Sequence, residues 1–471
     1  MTPEEFRKAG HELVDLVADY RAGIAARPVM AQVKPGDIVA SLPSNAPETP
    51  EPLAAIRADL ARLIEPGLTH WQHPKFFGYF PANAGLSSVL ADLLSTGFGQ
   101  IGLNWQSSPA LTELEEATLG WMREALGLSQ VWHGVIQDTA STASLVALIC
   151  AREQATNQSA SRGGLQATGQ SLVVYTSSQA HSSVDKAALL AGFGRDNIRH
   201  VDVDSTFAMD LVALRRAIEA DLAAGRKPCA IVATTGTTAT TAMDPVAGCA
   251  ALAREFGLWL HVDAAMGGAA MVLPECRHLW HGVEEAHSLV VNAHKWLGVA
   301  FDCSLYFVRD PAFLVQVMST NPSYLQTAAD GQAKNYRDWG IPLGRRFRAL
   351  KLWLTLRLEG LEAIRARLRR DMANARWLAG EVAATPDWKL LAPVALQTLC
   401  IRHEPQGLEG EALDRHTLTW VDAINRSGRA LLTPSTIGGR WMVRISIGAL
   451  QTEQSHVAEL WQEIRQAANA Q

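Results

Sequence analysis

The stretch Ser288-Leu289-Val290-Val291-Asn292-Ala293-His294-Lys295-Trp296-Leu297-Gly298 passes from an apolar run straight into polar side chains that end on a lysine. A short apolar run of this kind predicts a buried strand, and the residues behind it predict that the chain leaves a sheet there. Four more such runs, Ser171 to Tyr175, Cys229 to Ala233, Leu258 to Val262 and Ser304 to Val308, are separated by helical patterns. This alternation over residues 86 to 350 predicts an α/β fold, a mostly parallel sheet covered by helices on both faces. Ligands of such sheets bind where strands end, so the residues just after each run are the place to look for chemistry.

On either side of this region the patterns change. Residues 1 to 85 carry helical patterns broken by proline-rich connectors, notably Leu42 to Pro52. They begin with Thr2-Pro3-Glu4-Glu5, a capping box with proline in the first helical position, and continue with Phe6, Leu13, Val17 and Tyr20 at helical spacing. This pattern is expected to be an amphipathic helix of the mature protein rather than a signal peptide. The segment has little core of its own, so it is expected to pack on another surface, that of a partner subunit. From 351 to 471 come a long amphipathic helix, strand candidates at Leu396 to Ile401 and Trp441 to Ile447, and a final helix, which predict a small α+β domain.

Composition narrows the function. A chain of 471 residues with 48% hydrophobic and 19% charged content builds two or three domains. A formal charge of −5 gathers neither nucleic acid nor an anionic membrane, and no apolar run is long and charge-free enough to span a bilayer, so a cytoplasmic location is expected. The six cysteines lack C-x-x-C spacing and read as reduced core residues. Arg365, Arg367, Arg369 and Arg370 fall in a helical pattern and read as a solvated face without function. His281, Glu284 and His287 read likewise as a solvated helix face, and no metal is expected. Signatures of P-loops, nucleophile elbows and zincins are missing.

Three strand ends carry reactive side chains: His181 soon after Tyr175, Asp263 directly after Val262, and Lys295. Singly they are ordinary, a structural histidine, a helix cap and a semi-buried amine. Together they fit pyridoxal phosphate: an amine for the aldehyde carbon, a carboxylate for the pyridinium nitrogen and an imidazole for the ring face. Gln137-Asp138-Thr139-Ala140-Ser141 enters a helix and suits a phosphate, although an ordinary helix cap accounts for the same residues.

Longer motifs sharpen this. They are His73-Pro74 with Phe77-Gly78-Tyr79-Phe80-Pro81, Gly134 through Ser141, Ala180-His181-Ser182-Ser183-Val184, His261-Val262-Asp263-Ala264-Ala265, Asn292 through Leu297, Phe301-Asp302-Cys303-Ser304, and Pro342-Leu343-Gly344-Arg345-Arg346-Phe347-Arg348. With them the chain resembles, over nearly its whole length, the group II pyridoxal-phosphate decarboxylases, in particular aromatic-L-amino-acid decarboxylases and most of all bacterial L-DOPA decarboxylases. The resemblance implies an aspartate-aminotransferase-like (fold type I) homodimer with sites at the subunit interface. It implies Lys295 as the internal aldimine, Asp263 on the pyridine nitrogen, and His181 and Ala265 on the two ring faces. Ala140, Ser141, Thr237, Asn292 and His294 would complete the cofactor site, with Leu343 and Gly344 lent by the other subunit. Trp71, Tyr79, Phe80, Ile101 and Leu103 would line an apolar pocket for an aromatic ring, and Tyr324 would protonate the α-carbon after decarboxylation.

Phenylalanine in place of Tyr324 is a mark of relatives that resemble aldehyde synthases, so tyrosine favours plain decarboxylation. Ala82, Leu103, Met266, Ala293, Asp138 and Thr142 depart from common family residues, and Gly344 leaves room for an indole where some phenol-preferring relatives carry serine. The preference among DOPA, tyrosine, tryptophan and 5-hydroxytryptophan therefore stays open, with L-DOPA favoured. The apolar lining argues against an acidic substrate, and the intact Lys295, Asp263 and His181 set argues against a purely non-enzymatic role.

Overall fold

The computed structural model describes residues 1–320 and 329–470. Its larger sheet contains β1 (His133–Gln137), β2 (Leu172–Ser177), β3 (Ile198–Val201), β4 (Lys227–Thr234), β5 (Trp259–Asp263), β6 (Ser288–Asn292) and β7 (Ser304–Val308). The strand order is β1-β7-β6-β5-β4-β2-β3. The five apolar runs read from the sequence are β2, β4, β5, β6 and β7, shifted only at their ends. Periodicity did not reveal β1, whose Gly134 interrupts the apolar run, or β3, a short edge strand carrying Arg199 and His200.

Strands β3, β2, β4, β5 and β6 run parallel. β7 is antiparallel to both β6 and β1, so β1 points the same way as β6. The C-terminal ends of β1, β6, β5, β4 and β2 therefore open on one edge of the sheet. Every residue of β2, β5, β6 and β7 is buried, as strands covered on both faces require. The helix Ala140–Ala155 closes over the sheet with small side chains, Ala143, Ala147 and Ala151, in one core with Val174, Val232, Val290 and Tyr306. Side chains this small let the helix approach the strands closely.

These strands belong to a unit formed by Ala82–Met372 and Ala392–Thr398. The second unit joins Met1–Pro81 to Ala373–Leu391 and Leu399–Gln471. The sequence suggested boundaries at 85/86 and 350/351. The second of these moves into the helix Gly360–Ala384, and the N-terminal segment shares a core with the C-terminal residues. Phe76 bridges to Leu431, Val29 N–H donates to Gly428 O at 2.7 Å, and Val29, Phe76 and Leu431 form a buried cluster. The smaller sheet, β8 (Trp388–Leu390), β9 (Thr398–His403), β10 (Thr433–Ile437) and β11 (Arg440–Ser446), has the order β10-β11-β9-β8. The capping box at Thr2 and Glu5 is formed, and Phe6, Leu13 and Val17 of the helix it starts are exposed.

Two expectations are corrected. His281, Glu284 and His287 do not share a helix face. Glu284 accepts from Ser129 and from the Trp132 indole, while the His287 ring stacks on Trp259 at 4.6 Å and accepts Leu260 N–H. Nor are all four arginines of the basic cluster solvated: Arg365 donates to Val272 O, and Arg367 reaches two buried carbonyls. All six cysteines are buried free thiols, as expected. Burial pushes Cys150, Cys229, Cys303 and Cys400 up to about 12, which keeps them protonated and inert. Among the described residues no helix is long and apolar enough to cross a membrane.

One buried ion pair ties β1 to the segment after Pro342. Glu115 accepts from Arg345 at 2.6 Å and from Ile136 N–H at 2.8 Å, and Arg345 also donates to Ile136 O. Glu115→Ala strands a buried guanidinium, at a cost of about 3–5 kcal/mol. Thermal unfolding should show a clear loss of Tm for this variant and almost none for Arg215→Ala, whose partner Glu255 is exposed. Equal shifts would contradict this account.

Candidate active site

The common strand edge gathers the candidate residues in turn. Asp263 ends β5 and is 4% exposed. Its Oδ1 accepts Ala265 N–H at 3.0 Å, which fixes the carboxylate against the backbone. Ala265 O in turn accepts Asn292 N–H at 3.0 Å, linking the end of β5 to the end of β6. Asn292 is buried, with its Oδ1 accepting the Ser304 hydroxyl.

Beyond Asn292 the chain turns through Ala293–Leu297, with Lys295 half-buried in the turn and its N–H donating to Asn292 O. His294 is buried edge-on to Phe301, ring centroids 4.8 Å apart, with Nδ1 2.9 Å from the Cys303 backbone nitrogen. Burial first, and then the Lys295 charge, lower its pKa to about 4, so the ring is neutral.

His181 caps the helix Ser182–Leu190, and its Nδ1 accepts Ser183 N–H at 3.1 Å. That bond assigns the proton of the neutral ring to Nε2. Desolvation lowers the pKa of His181; the positive charge of Lys295 lowers it further and the negative charge of Asp263 opposes. Lys295 and Asp263 thus both lie close enough to His181 for their charges to act on its ring.

At the end of β1, Thr139 supplies the cap of the helix Ala140–Ala155, accepting Thr142 N–H, and is itself braced by Asp138. Capping is therefore the work of Thr139. As at any helix start, the N–H groups of Ala140 and Ser141 have no partner within the helix, and Ser141 is exposed. Thr237, after β4, is fully buried, and its hydroxyl is engaged by Ala242 N–H and the Thr240 hydroxyl within its own loop.

Ile101 is exposed, Leu103 half-buried and Leu343 exposed. A Cβ added to Gly344 would lie 3.4 Å from Ile101 Cγ2, so these two positions adjoin. Trp71, Tyr79 and Phe80 belong to the other unit. There Trp71 stacks on Phe76 at 4.6 Å and on Tyr79 at 5.5 Å, and the Arg444 guanidinium lies 4.1 Å over Phe80. Sequence reading passed over Arg444, whose only signal was a charge inside the apolar run of β11. Tyr324 lies outside the described residues.

An amine, a buried carboxylate, a neutral imidazole and a helix start make a donor set suited to pyridoxal phosphate: an aldehyde, a protonated ring nitrogen, a ring face and a phosphate each find a chemically matched group.

The family described as "Pyridoxal-dependent decarboxylase conserved domain" matches residues 35–404. A phenylacetaldehyde synthase of a Rosa hybrid cultivar is 39% identical, with 100% of this chain and 95% of that protein covered. A tryptophan decarboxylase of Camptotheca acuminata is 40% identical at the same coverage. The crystal structure of Oryza sativa TDC with PLP and tryptamine superposes with a TM-score of 0.97 at 33% identity, covering 100% of this chain and 99% of that one.

The geometry sets the titration of His181. In cofactor-free protein its NMR midpoint should lie below 6.5 and should rise in Lys295→Met, which removes the cation that depresses it. A midpoint above 6.5, or no rise in the variant, would contradict the placement of Lys295 beside the ring.

Proposed function

The chain belongs to the pyridoxal-dependent decarboxylases, and within that family we propose that it decarboxylates L-DOPA or a close aromatic L-amino acid to the amine and carbon dioxide, using Lys295, Asp263 and His181. The observation that carries this reading is that the ends of β2, β5 and β6 open on one edge of the sheet, with the charges of Lys295 and Asp263 acting on the His181 ring. The relatives named for phenylacetaldehyde and tryptophan support an aromatic substrate.

When bound, pyridoxal phosphate supplies a protonated pyridine ring that takes up the electron pair left by departing carbon dioxide. Lys295 would provide the amine that holds the aldehyde carbon of the bound cofactor. Asp263, locked by Ala265 N–H, keeps the ring nitrogen protonated. His181, neutral and oriented by Ser183, would stack on one face of the bound ring, with Ala265 toward the other. The N–H groups of Ala140 and Ser141, with Asn292 and His294, hold the phosphate. Tyr324, read from sequence, delivers a proton to the α-carbon; its phenolic proton is what separates simple decarboxylation from oxidative aldehyde formation. Thr237, its hydroxyl held by Ala242 N–H, would complete the cofactor site from the loop after β4.

The working form is a homodimer in which Leu343 and Gly344 serve the partner's site. Exposed Leu86, Leu90, Leu93, Phe98 and Ile101 support this, since apolar patches of that extent mark interfaces. Sedimentation should give the mass of two chains, and a monomer at assay concentration would contradict it.

With equimolar DOPA, tyrosine, tryptophan and 5-hydroxytryptophan, the holoenzyme should release amine and carbon dioxide one to one without consuming oxygen, and DOPA should be consumed fastest. Oxygen uptake equal to substrate loss would identify an aldehyde synthase, and no carbon dioxide from any of the four would defeat the proposal. Gly344→Ser, crowding Ile101, should lower kcat/KM for indole substrates about tenfold relative to phenols. An unchanged ratio would remove Gly344 from the ring pocket.

A further inference from the structure

The basic cluster that looked like a solvated helix face lies behind Lys295. Each backbone carbonyl of the Lys295 turn needs a partner once the turn leaves β6. Lys295 O accepts from the Asn83 amide at 3.2 Å and from Gly298 N–H. Trp296 O and Leu297 O both accept from Nη2 of Arg367, at 3.2 and 2.8 Å. Gly298 O accepts Gly85 N–H at 2.9 Å. The indole of Trp296, completely buried, donates from Nε1 to Oδ2 of Asp371 at 2.9 Å. Arg367 and Asp371 stand four residues apart on the helix Gly360–Ala384 and so share one face. That face holds the residue after Lys295 by both its backbone and its side chain.

We propose that Arg367 and Asp371 are positioning residues for Lys295, fixing the turn so that its amine is presented to the cofactor in one place. This rests on the reading of Lys295 as the cofactor-holding lysine. A lysine side chain has a flexible four-carbon stem, so the amine is placed only as well as its backbone. Both charges are kept where charge is expensive. Asp371 is wholly buried, and burial raises its pKa to about 7 against the opposing Trp296 hydrogen bond and the charges of Arg370 and Arg367. Arg367 is flanked by Glu359 at 3.9 Å. Apolar residues of similar volume would serve stability as well or better, so a geometric task accounts for the buried ions.

The test uses the holoenzyme and follows cofactor release, read as loss of the visible absorbance of lysine-bound cofactor during dialysis, alongside the Tm of cofactor-free protein. Arg367→Met and Asp371→Leu each leave buried polar partners unpaired and so lower Tm, and at temperatures well below that Tm they should still release cofactor about tenfold faster or more. Asp371→Asn retains an acceptor for the indole and should stay within about twofold of the parent. Trp296→Phe removes the indole N–H together with part of the ring and carries the same expectation as Asp371→Leu should that variant fail to fold. Release at the parent rate in Arg367→Met and Trp296→Phe, release as fast in Asp371→Asn as in Asp371→Leu, or faster release that only tracks a lost Tm, would overturn the proposal. A parent enzyme without that absorbance band would instead defeat the function proposed for Lys295.

Discussion

A carboxylate as deeply buried as Asp263 is costly unless hydrogen bonds and a cation face it. Here the Ala265 N–H holds one oxygen, and Asp263 and Lys295 both act on the ring of His181. That arrangement exists because β5 and β6 run side by side in the same direction, with β6 ending two residues beyond the register of Asp263. Reversing either strand would send Asp263 and Lys295 to opposite edges. The continuous apolar runs of the central strands, and the small residues of the helix above them, keep the sheet buried on both faces and so keep those ends aligned.

Much of this was legible because buried parallel strands write themselves as uninterrupted apolar runs. The strands that carry His181, Asp263 and Lys295 were visible that way. β1 and β3 were not: a glycine and two polar residues dilute strands too short to show a period. Helical periodicity also gives no indication of what lies across from a face. The spacing of Arg367 is that of a solvated surface residue, whereas the face it occupies meets the carbonyls of a turn. The phosphate loop was ambiguous for a different reason, since capping and anion binding use the same residue types. Coordinates separate the roles by assigning the cap to Thr139.

Proteins of about equal similarity to this chain bear names of two different reactions, phenylacetaldehyde synthesis and tryptophan decarboxylation. Cofactor binding is compatible with either. On the function proposed here, the choice would rest on which proton donor meets the α-carbon and which ring fits beside the adjoining Ile101 and Gly344. The cofactor residues are fixed by the sheet and its capped helices, whereas Ile101 and Leu343 are exposed residues outside helices and strands. Such segments accept substitution without disturbing the core, so a family can keep its cofactor chemistry and vary its substrate.

The most direct test of the account is to load the protein with pyridoxal phosphate, reduce it with borohydride and locate the adduct by peptide mass analysis. A single phosphopyridoxyl group on Lys295 is the predicted result. An adduct on another lysine, such as the buried Lys351, or no adduct at all, would contradict it.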